Sequence, residues 1–319
     1  MRRSGVGILV AAAALSFAAL LPAFPPSSKP SKSKPESADA RGPVLVIVNG
    51  QKITEPELNR LITTHRVPPE KRDEVRRSFL DKLIDMRLVQ QYLASRKVAA
   101  GKKEVDDQIK QIRAAAGKRG EDPDQALAEA GYTPEWLREQ IALPIAWQHY
   151  FDRVVPPEKL KAYFKEHHEE FDGTKVRASR ILIKVPSGDD TAYEAAEAKL
   201  SELRKQILEK KISFAEAASE HSAAPSAGDG GNVGEFPFSG KMFKQFSQEA
   251  FRLKEGEISQ PFRTKYGAEL CLVTDKKPGD LSLEDVRDEV RARMSDELLN
   301  ETRAELRKNA KIEWRSEPP

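Results

Sequence analysis

The sequence predicts an α+β fold in which a helical domain, built from both ends of the chain, surrounds a central module of strands and helices. Apolar residues recur at spacings of three and four along residues 70–97 and 283–309, as on one face of an amphipathic helix. The middle of the chain instead carries a strand-like run at residues 176–185. Short runs at residues 44–48 and 311–314 can pair as strands and so close the helical domain.

Composition narrows the class of protein. The chain has 319 residues, 39% of them hydrophobic and 32% charged, with a mean hydropathy of −0.59. These values exclude a multi-spanning membrane protein and a chain that is disordered throughout, and the length favours two or three modules. The 53 basic and 50 acidic residues give a net charge of +3, which argues against a nucleic-acid partner. A single cysteine, Cys271, excludes an intramolecular disulfide and a cysteine-rich zinc site.

Residues 1–24 are typical of an export signal or a membrane anchor. Arg2 and Arg3 precede an uncharged apolar run of 17 residues, 5–21, near the lower limit for a membrane-spanning helix. No clean cleavage site follows, so a cleaved signal and an uncleaved inner-membrane anchor both remain open. Residues 25–43 are rich in Pro, Ser and Lys and are expected to form a disordered tether, because they cannot bury enough apolar surface to offset their ordering entropy. The sequence therefore predicts a periplasmic or other extracytoplasmic protein.

Residues 44–172 are expected to form the helical domain. The β-branched run 44–48 ends at the turn pair Asn49-Gly50. Thr54 to Glu57 then has the form of a capping box with a proline in the first turn, which predicts a helix to about residue 65. The longer helix at 70–97 carries an apolar stripe that consists of Val75, Phe79, Leu83, Met86, Val89 and Leu93. Further helices are expected at residues 102–117, 122–130, 133–154 and 156–171.

Two tryptophans lie on one face of the helix predicted at residues 133–154. Trp136 and Trp147 are eleven residues apart and return to the same side after about three turns. Two interpretations remain: the tryptophans anchor the core, or they line a peptide-binding groove.

The central module is expected at residues 174–278, and residues 280–319 follow it. Ser213 to Glu216 forms a second capping box. The last helix begins at a Ser282–Asp285 cap. The strand expected at 311–314 follows it, and this C-terminal segment is expected to pack back on the N-terminal domain. The module's expected elements are strands at 176–185, 258–263 and 267–274 and helices at 191–210, from Ser213 onward and at 244–251.

Two local motifs resemble ligand-binding sites, but neither has the residues or the geometry that such a site requires. The glycine-rich stretch 228–234 lacks a following Lys-Ser/Thr pair and a strand-loop-helix context, so it does not predict a phosphate site. His167 and His168 are adjacent and point about 100° apart on a helix, which favours a solvated face over a shared metal site. We expect neither a metal nor a cofactor.

A series of motifs runs through the central module in a specific order and spacing: Ala178-Ser179-Arg180-Ile181-Leu182, Phe214-Ala215-Glu216-Ala217-Ala218, Gly230-Gly231-Asn232-Val233-Gly234-Glu235-Phe236, Lys241-Met242, Glu249-Ala250-Phe251, residues 253–262 and Thr264-Lys265-Tyr266-Gly267. Through these motifs, residues 176–276 resemble the parvulin family of peptidyl-prolyl isomerases. The flanking helices, the export signal and the strand-closed ends are similar to the SurA, PrsA and PpiD class of envelope folding factors, which implies a SurA-like chaperone domain around the module.

The resemblance implies a four-stranded antiparallel sheet with helices packed on it and a proline-sized pocket. Met242 and Phe246 match the family's pocket positions for the proline ring, and Val233 and Phe236 are expected to complete the wall. The alternative is that Met242 and Phe246 are plain core residues. A pocket requires that these two side chains are not sealed from solvent.

Three polar positions of the family differ in this chain. Arg180 and Glu269 stand where parvulins usually carry histidines, and Ala224 stands where a Cys or Asp is usual. In the family the two histidines lie side by side on neighbouring strands. We therefore predict that Arg180 and Glu269 form an ion pair at the site.

Two functions remain open. The first is an active prolyl isomerase that acts on unfolded or proline-containing exported polypeptides, with outer-membrane proteins among the candidate clients. The second is a holdase chaperone, or an envelope scaffold, whose parvulin-like module is catalytically impaired.

Overall fold

A computed structural model describes residues 42–118, 120, 122–186 and 189–315. The predicted export signal or anchor and nearly all of the predicted tether lie outside the described residues. Within the described residues, no helix combines the length and the apolar character that crossing a bilayer requires. The described residues divide into two compact units: the first contains those up to 159 and from 291 onward, and the second contains those from 160 to 290.

The helices of the described residues are α1 (Glu55–Thr64), α2 (Arg72–Ser95), α3 (Lys102–Gly117), α4 (Pro123–Glu129), α5 (Pro134–Val154), α6 (Pro157–Glu166), α7 (His168–Phe171), α8 (Asp190–Leu208), α9 (Phe214–His221), α10 (Lys244–Arg252) and α11 (Leu283–Asn309). The strands are β1 (Val44–Val48), β2 (Gln51–Thr54), β3 (Lys175–Lys184), β4 (Asn232–Pro237), β5 (Phe262–Thr264), β6 (Gly267–Lys277) and β7 (Ile312–Trp314). The mixed helical and sheet fold that the sequence predicts is confirmed.

A small antiparallel sheet of order β2-β1-β7 joins the two ends of the described chain in the first unit. Val46 lies opposite Trp314, so the predicted pairing of the two terminal runs is present. The guanidinium of Arg77 on α2 lies 4.4 Å from the centre of the Trp314 ring, which adds a cation–π contact between this sheet and the helix.

Helices α1 and α2 pack on this sheet. The backbone N–H of Thr54 donates to Glu57 Oε2 at 2.8 Å, as the predicted capping box requires. The buried face of α2 is broader than the predicted stripe, because Leu80, Ile84 and Leu88 are buried as well. These apolar faces form one core with the strands.

Both tryptophans of α5 are core residues. Trp136 packs in the core formed with the small sheet, and Trp147 packs in a second cluster of the first unit. The buried indole N–H of Trp147 donates to Ser295 Oγ at 3.0 Å, which satisfies the polar edge of the ring. Of the two interpretations left open, the core anchor is the one observed.

The second unit contains the four-stranded antiparallel sheet that the family resemblance implies, in the order β4-β3-β6-β5. Its long central strands β3 and β6 place Arg180 opposite Cys271 and Leu182 opposite Glu269. Because side chains alternate along a strand, the sheet has two buried faces. One face carries Ile181 and packs in a core with residues of α8 and α9, and the other packs with α10 around Phe246.

Two strands differ from the expectation. Strand β4 begins within the glycine-rich stretch, where Gly231, just before the strand, and Gly234, within it, have φ of +80° and +73° that interrupt a regular strand pattern. The strand expected at 258–263 is limited to β5, and Ile258 forms only an isolated bridge with Leu272. Pro261, which has no N–H to donate, separates the two.

Candidate functional site

Arg180 and Glu269 meet on the face of the sheet that carries α10. Arg180 Nη2 lies 2.9 Å from Glu269 Oε2, and the side chains are 11% and 0% exposed. The two residues belong to neighbouring strands and are diagonal across the β3–β6 ladder, a separation that a long arginine spans readily. The predicted contact is confirmed.

Thr264 holds the other oxygen of the carboxylate. Its hydroxyl donates to Glu269 Oε1 at 2.8 Å and comes from β5, the next strand of the sheet. Burial raises the pKa of Glu269 above its usual value, and the positive charge of Arg180 and the Thr264 hydrogen bond oppose that rise. The net direction is upward, because the carboxylate has no contact with solvent.

The guanidinium of Arg180 also faces two aromatic rings. Its central carbon lies 5.4 Å from the Phe243 ring centre and 5.7 Å from the Phe246 ring centre. The contact between Arg180 Nη2 and Glu269 Oε2 does not meet hydrogen-bond geometry, so this oxygen is buried without a hydrogen-bond partner among the described residues. Arg180 Nε is also buried without such a partner. Arg180 is therefore held by charge and by the rings.

The four apolar residues expected around a proline ring all lie in one cluster with α10. Met242 and Val233 are half-buried, whereas Phe236 and Phe246 are fully buried. The expectation that both Met242 and Phe246 are open to solvent is therefore wrong for Phe246. Its ring is covered by Arg180, Phe243 and Phe262, so that only Met242 of this pair contributes to the surface.

The third altered position, Ala224, follows a residue that is hydrogen-bonded to β3. The neighbouring Ala223 donates its N–H to Leu182 O at 2.7 Å, and Leu182 is the register partner of Glu269. Ala224 itself is buried and brings no polar group. Cys271 is fully buried, and burial raises the pKa of its thiol, so it is not a nucleophile.

Four residues of the site received no role from the sequence. Phe243 and Phe262 are half-buried members of the α10 cluster, Thr264 binds Glu269, and Tyr266 is 47% exposed with its ring edge-on to Phe243 at 5.5 Å. The available signal for Tyr266 was the two-residue connection between Thr264 and Gly267, because a tight hairpin places its turn residues at the edge of the sheet. We use "aromatic cluster" for the rings of Phe243, Phe246, Phe262 and Tyr266 together with the neighbouring side chain of Met242.

The adjacent histidines do not form a shared site. His167 Nδ1 lies 3.2 Å from Glu170 Oε1, and His168 Nε2 lies 3.9 Å from Asp172 Oδ2. Among the described residues, no group of three His, Cys, Asp or Glu side chains is arranged to hold a metal ion.

Comparison with known proteins matches both units. Residues 181–275 match the PPIC-type PPIASE domain, and residues 1–151 match the SurA-like N-terminal domain. Foldase protein PrsA of Geobacillus kaustophilus is 32% identical over 235 residues, which cover 73% of each chain. The putative peptidyl-prolyl cis-trans isomerase SurA of Haemophilus influenzae is 27% identical over 260 residues, which cover 75% of this chain and 82% of the relative. A crystal structure of PrsA from Bacillus anthracis is 21% identical with a TM-score of 0.44 and covers 72% of this chain and 96% of that one.

The sequence match and the site agree. The identity to PrsA extends over most of both chains, and the second unit carries the four-stranded sheet and α10 in the arrangement that the parvulin motifs imply. This chain therefore belongs to the PrsA family of foldases, with a SurA-like N-terminal domain and a parvulin-type peptidyl-prolyl isomerase domain.

Proposed function

We propose that this protein is an extracytoplasmic folding factor that binds unfolded, proline-containing segments of exported polypeptides and accelerates rotation about their X–Pro bonds. The observation that carries the proposal is the aromatic cluster beside the buried Arg180–Glu269 pair, in which Tyr266 is exposed and Met242 is half-buried. The basic and apolar start of the sequence supports export, and outer-membrane proteins are candidate clients.

Rotation about an X–Pro bond needs no covalent step. The barrier of about 18–20 kcal/mol comes from amide resonance, and uncatalysed exchange takes tens to hundreds of seconds. In the twisted amide the nitrogen loses resonance and the carbonyl has less charge separation. A dry apolar surface therefore favours the twisted form over the planar ground state, which is the condition for catalysis. Met242, Phe243 and Phe262 offer such a surface.

A second candidate function is a holdase that binds the same segments without accelerating isomerisation. The altered polar positions favour it. Arg180 and Glu269 are paired with each other, and Ala224 carries no polar group, so the three supply no acid, base or nucleophile to a bound peptide. The two functions differ only in whether the twisted amide is bound more tightly than the planar one.

Two assays on the full chain distinguish the functions. Exchange spectroscopy measures the isomerisation of a short Ala-Pro peptide, and light scattering measures the aggregation of a denatured outer-membrane protein. Met242→Ala removes apolar surface at the proposed site, and Met86→Ala, which truncates a half-buried methionine of the first unit, is the matched control for isomerisation.

A rate above background that Met242→Ala reduces and Met86→Ala does not supports the isomerase. A background rate together with suppressed aggregation selects the holdase. If the chain neither accelerates exchange nor suppresses aggregation, the proposed function is wrong. Protease protection of the chain in intact cells tests the extracytoplasmic location separately.

A further inference from the structure

The side chain of Arg180 occupies the space beside the ring that is proposed to receive proline. The guanidinium carbon and the centres of the Phe243 and Phe246 rings form a nearly equilateral triangle, with sides of 5.4, 5.7 and 5.9 Å. A charged plane at this distance from a ring face makes a cation–π contact. The same contact excludes another group from that face of Phe246.

We propose that Arg180 is a movable plug of the prolyl site: a prolyl ring reaches Phe246 only when the guanidinium leaves the wedge between Phe243 and Phe246. This inference rests on the proposed function, because it assumes that proline binds there. Arg180 is one of the side chains that cover Phe246, which is fully buried, whereas Met242, four residues earlier, is half-buried.

Among the described residues, the Arg180 side chain has one polar side-chain partner, Glu269, and that partner is fixed. Glu269 lies on the long strand β6 and is hydrogen-bonded to Thr264, so the carboxylate does not move with the arginine. Arg180 reaches it with one terminal nitrogen, while its Nε is buried without an acceptor. A long, flexible side chain that is held at its end and leaves a buried donor unsatisfied can be displaced by a ligand that fills the wedge.

Displacement lowers the apparent affinity for proline. If only a fraction of molecules have the wedge open, the observed dissociation constant rises by the inverse of that fraction. Open states of this kind are commonly populated at about 0.1–10%. Removal of the plug should therefore tighten the binding of a prolyl peptide by about tenfold or more. A residue that binds or catalyses would give the opposite sign on removal.

The test is a titration of the full chain with N-acetyl-Ala-Ala-Pro-Ala-amide, and with the same peptide carrying alanine in place of proline. The chain has four methionines, so methyl-labelled methionine gives few signals, and Met242 reports the site directly. The variants are Arg180→Ala combined with Glu269→Gln, which leaves no unpaired charge, and Arg180→His, which is shorter and keeps a partner for Glu269. Arg177→Ala, an exposed arginine of the same strand, is the matched control.

Tighter binding of the proline peptide by both Arg180 variants, with Arg177→Ala unchanged, is the expected result. Equal affinity of wild type and variants overturns the plug and leaves the prolyl site standing. Weaker binding by the variants also overturns it and makes Arg180 a binding residue. If wild type and folded variants all fail to bind the proline peptide, the proposed function fails, and the plug fails with it.

Discussion

Replacement of Glu269 by alanine tests the physical account of the site most directly. In the wild type the carboxylate is fully buried, paired with Arg180 and hydrogen-bonded to Thr264. Alanine removes the carboxylate and with it both interactions. The guanidinium of Arg180, of which only a small part is exposed, then loses the carboxylate with which it is paired.

The size of the loss follows from these contacts. Removal of one member of a buried ion pair costs about 3–5 kcal/mol. The two rings beside Arg180 remain and stabilise part of its charge, which places the expected loss near the lower limit, at about 3 kcal/mol. That is a large share of the stability of about 5–15 kcal/mol that folded domains have.

Hydrogen exchange of the full chain, read by mass spectrometry on peptides from β3 and β6, measures the loss where it occurs. A destabilisation of about 3 kcal/mol corresponds to exchange about 10²-fold faster in these strands. A double-mutant cycle with Arg180→Ala isolates the coupling. The double variant should lose less than the sum of the single variants, because no charge is left unpaired.

Glu235→Ala is the matched control. Glu235 belongs to the same sheet and is surrounded by Lys175, Arg177 and Lys277, but its surroundings are exposed. Exposed ion pairs are screened by water and contribute little, so this variant should leave the exchange of β3 and β6 nearly unchanged. Equal exchange in Glu269→Ala and Glu235→Ala would show that the buried pair contributes no more to stability than an exposed one.

Three further predictions concern single residues. Burial raises the pKa of Glu269 above the value of about 4.5 in the unfolded chain, so the folded state holds the proton more tightly. The unfolding free energy of wild type relative to Glu269→Gln should therefore fall as the pH rises from 4.5 through that raised pKa. A rise would show that the attraction of Arg180 dominates. Ser295→Ala leaves the buried indole N–H of Trp147 without an acceptor and should lower the unfolding free energy in urea by about 1–2 kcal/mol; an unchanged midpoint would mean that the hydrogen bond contributes nothing. Gly267→Ala should prevent the β5–β6 hairpin from closing, because φ is +140° and a Cβ would lie 2.0 Å from Ile183 O; a variant with native exchange in β6 would contradict this.

Local patterns predicted most elements of this protein. The capping boxes and apolar stripes located α1, α2 and α9 to within a few residues, since these signals depend only on neighbours along the chain. The position of strand β4 escaped prediction because the glycine-rich stretch in which it begins carries no strand pattern. It exists because β3 offers it an edge to pair with.

The ion pair was predictable for a specific reason. The family resemblance implies that the two altered positions are neighbours on adjacent strands, and one basic and one acidic residue there can satisfy each other. The sequence did not predict which polar side chain binds the second carboxylate oxygen of Glu269. Thr264 donates to that oxygen only because β5 pairs with β6.

The amino-acid sequence alone determined that the chain has helical ends around a parvulin-like module and that the usual polar floor of this module is replaced by an arginine and a glutamate. Only the tertiary structure decided that Phe246 is covered. Met242 lies just before α10 and Phe246 lies in its first turn, and the exposure of each depends on what reaches it from other strands. Here a side chain from β3 fills the wedge, and a contact of this kind is formed only when the sheet and α10 come together.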